Sequence, residues 1–153
     1  MKDTREQIIE TALNLFAEKG FEGASIRDIA EKASVNVAMV NYYFGSKEKL
    51  FETIVENHLL HTRGILDEIL SRKTLTPIEK IEAVIDSFIE KLFTHRIFHR
   101  LIHQELILNQ REGLQCSIVN NILPNSVIIK KLLKQVLKTA ISKKLMLSLP
   151  SHH

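Results

Sequence analysis

Apolar residues recur at every third or fourth position along nearly the whole chain and strict alternation is absent, so the pattern predicts an all-α protein. Asp3 followed by Glu6 reads as a capping box before Ile8, Ile9, Ala12, Leu13, Leu15 and Phe16, the core side of a first helix. Gly20 is expected to end it, with Phe21 folding back on the last turn. Ser25 offers an N-cap with Asp28 three residues later, and a short second helix runs to about Ala33. The stretch "SVN" makes a three-residue turn into a third helix over Val37 to Phe44, stopped by Gly45. Ser46 caps a fourth helix of about 25 residues, a rod of roughly 37 Å. Thr76, Pro77 and Glu79 open a fifth with a broad apolar face, and a sixth covers roughly Ile97 to Leu108. The helical signal resumes after "NQREG"; Pro124 is expected to kink or break it, and an amphipathic run continues to about Leu147.

Composition narrows the class without deciding it. A chain of 153 residues, 44% hydrophobic and 25% charged, suits a folded protein with a real core. One cysteine, Cys116, forms no intrachain disulfide, and the opening "MKDTREQIIE" has none of the layout of a secretory signal. No uncharged apolar run approaches the ~20 residues of a membrane span, so the expectation is a soluble, cytoplasmic protein with no membrane partner. The net charge is +3, but residues 1–50 hold seven Lys/Arg against eight Asp/Glu, and the excess sits late, in "VIIKKLLKQVLKTAISKKLM". A reader of DNA in the opening stretch must then work through a few placed groups, without bulk charge.

Two helices joined by three residues form a helix-turn-helix, in which the second helix enters the major groove. The packing residues fit: Ala30 is small where the helices cross, Val35 plugs the turn, and Ile26, Ile29, Val40 and Phe44 can meet Leu13 and Phe16. The other face of the third helix then presents Asn36, Ala38, Asn41 and Tyr42. Asparagine pairs bidentately with adenine, while hydroxyls and helix N-termini hold phosphate without full charges. Ser25, Arg27, Lys47 and Lys49 complete the candidate surface. By pattern alone, a pair of bundle helices with no nucleic-acid role fits equally well.

Residues 12–51, "ALNLFAEKGFEGASIRDIAEKASVNVAMVNYYFGSKEKLF", resemble the N-terminal domain of the TetR/AcrR family of bacterial transcriptional regulators. The likeness rests on "LFAEKGF", Ser25 with Ile26, Ile29 with Ala30, Val35 in the turn, "YYF" at 42–44 and "SKEKLF" opening the fourth helix. It implies DNA-contacting positions at Ser25, Asn36, Val37, Ala38, Asn41, Tyr42, Tyr43 and Lys47. It also implies a homodimer on a palindromic double-stranded operator, released when a small-molecule effector in the C-terminal helices shifts the fourth helix. The family often has glycine where this chain has Ser34, lysine where it has Val37, threonine where it has Met39, and usually tyrosine where it has Asn41. Ser34 must take a conformation glycine takes more easily, and Asn41 becomes the first candidate for reading a base. Under this resemblance residues 1–47 form the helix-turn-helix domain and 48–153 a ligand-binding and dimerisation domain that lacks the family's last two helices. The competing reading is a helical interaction module that no longer binds DNA.

Other constellations add little chemistry. His95, His99 and His103 recur every fourth residue, but each step turns by about 40°, so three imidazoles do not converge on one ion. No metal site is expected there or at His58 and His61, and the histidines are read as polar pocket residues. Phe88 and Phe93, with His95, His99 and His103, are the candidate ligand-binding residues, and the phenylalanines are first of all core. Glu105 and Cys116 stand without a catalytic motif or a glycine-rich phosphate loop, so neither enzymatic activity nor a cofactor is expected. The basic run from Val127 to Leu147 reads as the solvated face of a bundle helix.

Overall fold

Local capping chemistry sets most of the boundaries. The computed structural model describes residues 3–108 and 112–148, and these hold seven helices: α1 Thr4–Gly23, α2 Ile26–Lys32, α3 Val37–Phe44, α4 Lys47–Ser71, α5 Pro77–Thr94, α6 Arg96–Leu108 and α7 Glu112–Ser148. Ser25 with Asp28 and Thr76 with Glu79 both form complete capping boxes, each satisfying backbone N–H groups that the first turn leaves without partners. Gly20 takes φ 74° and ψ 167°, a region open essentially to glycine alone, and breaks the helical path as expected. The helix nonetheless resumes for one turn and reaches Gly23, which lets Phe21 swing back into the core.

The core begins where α1, α2 and α3 meet the first two turns of α4. Ile8, Phe16, Ile29, Val40, Leu50 and Phe51 are sealed from solvent. At its centre Phe16, Phe21 and Phe51 pack ring to ring with centroids 5.3–5.8 Å apart, a geometry that adds to simple burial. The same cluster runs on without a gap into Phe98, Leu101 and Ile102 of α6 and Leu114 and Ile118 of α7. Helix α1 therefore packs directly on α6, and Arg100 donates from Nη2 to the carbonyl of Ala17 at 3.1 Å across that contact.

Two expectations need correction. Helix α7 continues through Pro124 for 37 residues, so the proline does not break it. The proline removes one N–H and costs about 3 kcal/mol, but Asn125 beside it is buried and anchored to α4. Its Oδ1 accepts from Arg63 Nε at 3.2 Å and its Nδ2 donates to the carbonyl of Leu59 at 3.4 Å, so tertiary bonds hold the weakened turn. The broad apolar face of α5 is also not core, since α5 has no buried residue and Phe93 is 76% exposed. Only one edge of that helix meets α4, α6 and α7. Phe98, by contrast, is buried. Among the described residues no helix is long and apolar enough to cross a membrane.

Candidate nucleic-acid interface and the adjoining cavity

The α2–α3 pair is locked by short-range bonds. Ser25 Oγ accepts from the Asp28 N–H at 3.1 Å and donates to Asp28 Oδ2 at 2.8 Å, and the Ser25 N–H donates to the same oxygen at 3.0 Å. These bonds hold the Asp28 carboxyl below its usual range. In the turn, the Val35 N–H reaches the Ala30 carbonyl at 2.9 Å while Ser34 sits at φ 54°, the left-handed conformation that glycine takes more easily. Asn36 Oδ1 caps α3 by accepting from the Ala38 N–H at 2.9 Å. Gln7, which no sequence motif singles out, donates from Nε2 to the Ala33 carbonyl at 2.9 Å and ties α1 to the turn.

These constraints divide the candidate contacts into two groups. Ser25, Arg27, Asn36, Ala38, Asn41, Tyr42 and Tyr43 are exposed, with Tyr42 85% open to solvent. Ala38, Asn41 and Tyr42 share one face of α3 by their spacing, and the Tyr42 and Tyr43 rings meet edge to face at 5.4 Å. Val37 and Lys47 are turned inward. Val37 packs against the core, and the Lys47 ammonium donates to the Phe21 carbonyl at 2.9 Å and lies 4.4 Å from the Phe21 ring centroid. Lys47 thus closes the end of α1 before it can serve a phosphate. Lys49 is exposed but paired with Glu52 at 2.9 Å, which raises its pKa. Residues 33–46 carry no charge at all, so α3 and the turn before it set no carboxylate against a phosphate backbone.

Behind the helix-turn-helix, α4, α5, α6 and α7 line a partly open cavity of about 470 Å³, within the range of small-molecule sites. Its wall is almost wholly apolar, with Leu59, Ile85, Phe88, Ile102 and Ile118 contributed from all four helices. Among the candidate ligand residues, Phe88 and His99 line it. His95 lines a separate, smaller hollow with Glu10, Asn14 and His58; Phe93 and His103 are exposed and line neither. His58 lines the smaller hollow, stacked at 3.9 Å on Phe98, which lines both, and edge-on to His95 at 4.7 Å, with its Nε2 buried and unbonded. Burial, and then the neighbouring His95 and His99, pull its pKa down to about 4. Among the described residues no group of three or more His, Cys, Asp or Glu side chains is placed to hold a metal ion.

A helix-turn-helix set directly on a helical bundle that lines an apolar cavity is the all-α architecture of the described residues. Residues 8–54 match the family model described as bacterial regulatory proteins, tetR family. That match places a domain of this family at residues 8–54. The chain is 33% identical over 107 residues to YttP of Bacillus subtilis (strain 168), provisionally classed as a helix-turn-helix transcriptional regulator, covering 69% of this chain and 52% of YttP. It is 28% identical over 101 residues to the helix-turn-helix transcriptional repressor KstR2 of Mycolicibacterium smegmatis, covering 66% of this chain and 48% of KstR2. Among solved structures, a Clostridium perfringens protein provisionally assigned to regulating fatty acid metabolism superposes with a TM-score of 0.78 at 29% identity, over 96% of this chain and 74% of that one. The chain spans about half the length of these two curated relatives.

Proposed function

We propose that this protein is a DNA-binding transcriptional regulator of the repressor type. Residues 1–47 dock on a palindromic double-stranded operator and residues 48–153 bind a small-molecule effector and pair the protein as a homodimer. The observation that carries the reading is the outer face of α3: Asn41 and Tyr42 stand exposed on a helix whose other side is locked into the core. The tetR-family match over residues 8–54, and the similarity to the repressor KstR2 and the regulator YttP, support it. Two readers related by a two-fold axis need half-sites about 34 Å apart, so a shift of a few Å in α4 costs affinity. Helix α4 is the element that leads from the reader to the cavity, and the α1–α6 contact offers a second route between the two. No catalytic role is assigned, and the site of action is the cytoplasm, where the DNA is.

The test is binding to the DNA upstream of the protein's own coding region over a series of salt concentrations. Saturable, sequence-selective binding is expected, with a shallow salt dependence because few free cations face the groove. Asn41→Ala is expected to weaken it by about 1–3 kcal/mol without changing the melting temperature. Unselective binding that salt erases, in a protein shown to be dimeric, would overturn the reading.

A further inference from the structure

The cavity wall contains six polar side chains, and three of them are already spoken for. Thr62 Oγ1 donates to the His58 carbonyl at 3.0 Å, Ser126 Oγ to the Leu123 carbonyl at 2.7 Å, and Asn125 is held by Arg63 and Leu59. The other three, Ser87, Lys91 and His99, have no side-chain hydrogen bond or ion pair among the described residues. They also converge. Ser87 and Lys91 are one helical turn apart on α5, so they share a face. The Phe88 ring between them in sequence lies 6.4 Å from the His99 ring, and Lys91 is near enough to His99 to help depress its pKa.

Each of the three offers a hydrogen-bond donor. The lysine ammonium is partly desolvated with no carboxylate paired to it, and the resulting penalty pushes its pKa down. The neutral His99 and the Ser87 hydroxyl supply uncharged donors. One unpaired cation flanked by neutral donors fits an acceptor-only head group with a single negative charge, and the apolar wall fits an uncharged hydrocarbon. A doubly charged phosphate monoester would bring more charge than one ammonium offsets.

We propose that the effector is an aliphatic monocarboxylate, its hydrocarbon chain filling the cavity between α4 and α7 and its carboxylate held at the Ser87–Lys91–His99 corner. The carboxylate then relieves the desolvated lysine, and the chain displaces water from an apolar wall. This rests on the cavity being the effector site of the proposed regulator, but its chemistry can be tested without DNA.

Titration calorimetry with dodecanoate, dodecanol and dodecyltrimethylammonium, each kept monomeric in solution, separates charge from chain. Dodecanoate is expected to bind about tenfold or more tightly than dodecanol, the gain of one charge-assisted hydrogen bond, and the cation not at all. Lys91→Met should erase the preference for dodecanoate and leave dodecanol binding nearly unchanged, while Lys91→Arg should preserve it. Equal or tighter binding of dodecanol or of the cation, or a preference that survives Lys91→Met in a protein with the wild-type melting temperature, would overturn the assignment. Charge-selective binding supports it even where DNA binding fails, because that failure bears only on the regulator reading. Release of operator DNA by dodecanoate but not by dodecanol joins the two.

Discussion

The two halves of the molecule pack by different rules. In the N-terminal half, α1, α2, α3 and the start of α4 each bury side chains in a shared core, and nearly every exposed group on α2 and α3 is polar, tyrosine or small. In the C-terminal half, α5 buries nothing, and Phe88, Phe93, Leu123, Leu137 and Ile141 stand 51–76% exposed. A reader that must match a fixed groove gains from close packing, which leaves one arrangement. A receptor must keep space open, and a helix that seals on one edge only is free to adjust around what enters. The difference teaches where the tightest packing sits: in the helix-turn-helix half and the α1–α6 seam, whose buried Phe98, Ile102 and Ile118 also form the inner wall of the cavity, and not in α5, its outer wall.

The sharpest way to break that comparison is to truncate one phenylalanine in each half. Phe16 is fully buried at the centre of the aromatic trio, and Phe16→Ala is expected to cost about 3–5 kcal/mol in urea unfolding. Phe88 is 55% exposed, and Phe88→Ala is expected to cost less than about 1 kcal/mol. Comparable losses would show that the bundle is as tightly packed in solution as the reader, and the contrast would fail.

A smaller effect probes the border between the halves. Burial brings the folded-state pKa of His58 down to about 4 from 6.5, and every titratable neighbour that adds to the shift, His61, Lys91, His95 and His99, pushes the same way. The unfolded chain therefore takes up the proton first as pH falls. The His58 contribution is complete above about pH 6.5 and is lost between there and pH 4. Because the ring is only partly buried, the loss is roughly 1–2 kcal/mol after allowance for solvent screening. His58→Phe keeps the stack on Phe98 and removes the titration, so its advantage over wild type should grow as melting is moved from neutral pH to about pH 5. An advantage independent of pH would show that His58 is solvated and that the seam is open.

Legibility in the sequence divides along the same line. Ser25 with Asp28, Ser46, Thr76 with Glu79 and the limits of α3 are matters of neighbouring residues, and capping chemistry reveals them one turn at a time. The rotation of a helix in its bundle is not local. Periodicity marks an apolar face on α5, yet only packing decides that Phe88 lines a cavity while Phe93 faces solvent. The same ambiguity hid the inward turn of Val37 and Lys47, since a lysine beside a helix end can reach a phosphate or a carbonyl equally well. Pro124 misled for the opposite reason: a strong local rule was overruled by Asn125, whose partners Arg63 and Leu59 are more than 60 residues away. Ser87 and Lys91 drew no attention because their meaning depends on His99, which another helix brings to them.

The finest test asks whether the turn itself is under strain. Ser34 holds φ 54° between two helices whose bonds leave it no alternative, since the Ser34 and Val35 N–H groups are both committed, to Glu31 at 3.0 Å and Ala30 at 2.9 Å. A left-handed residue with a side chain costs about 1–2 kcal/mol relative to the ordinary helical well, and glycine escapes that cost but gives up more freedom on folding. Ser34→Gly should therefore raise stability by only roughly 0.5–1 kcal/mol. Because Ser34 is exposed and outside the Asn41–Tyr42 face, operator affinity should stay the same when measured well below the melting temperature. A gain in stability with unchanged affinity would mean that strain in the turn is incidental to reading DNA. A loss of affinity would mean that the serine hydroxyl touches the DNA, and the contact surface would then extend from α3 back through the turn toward Ser25.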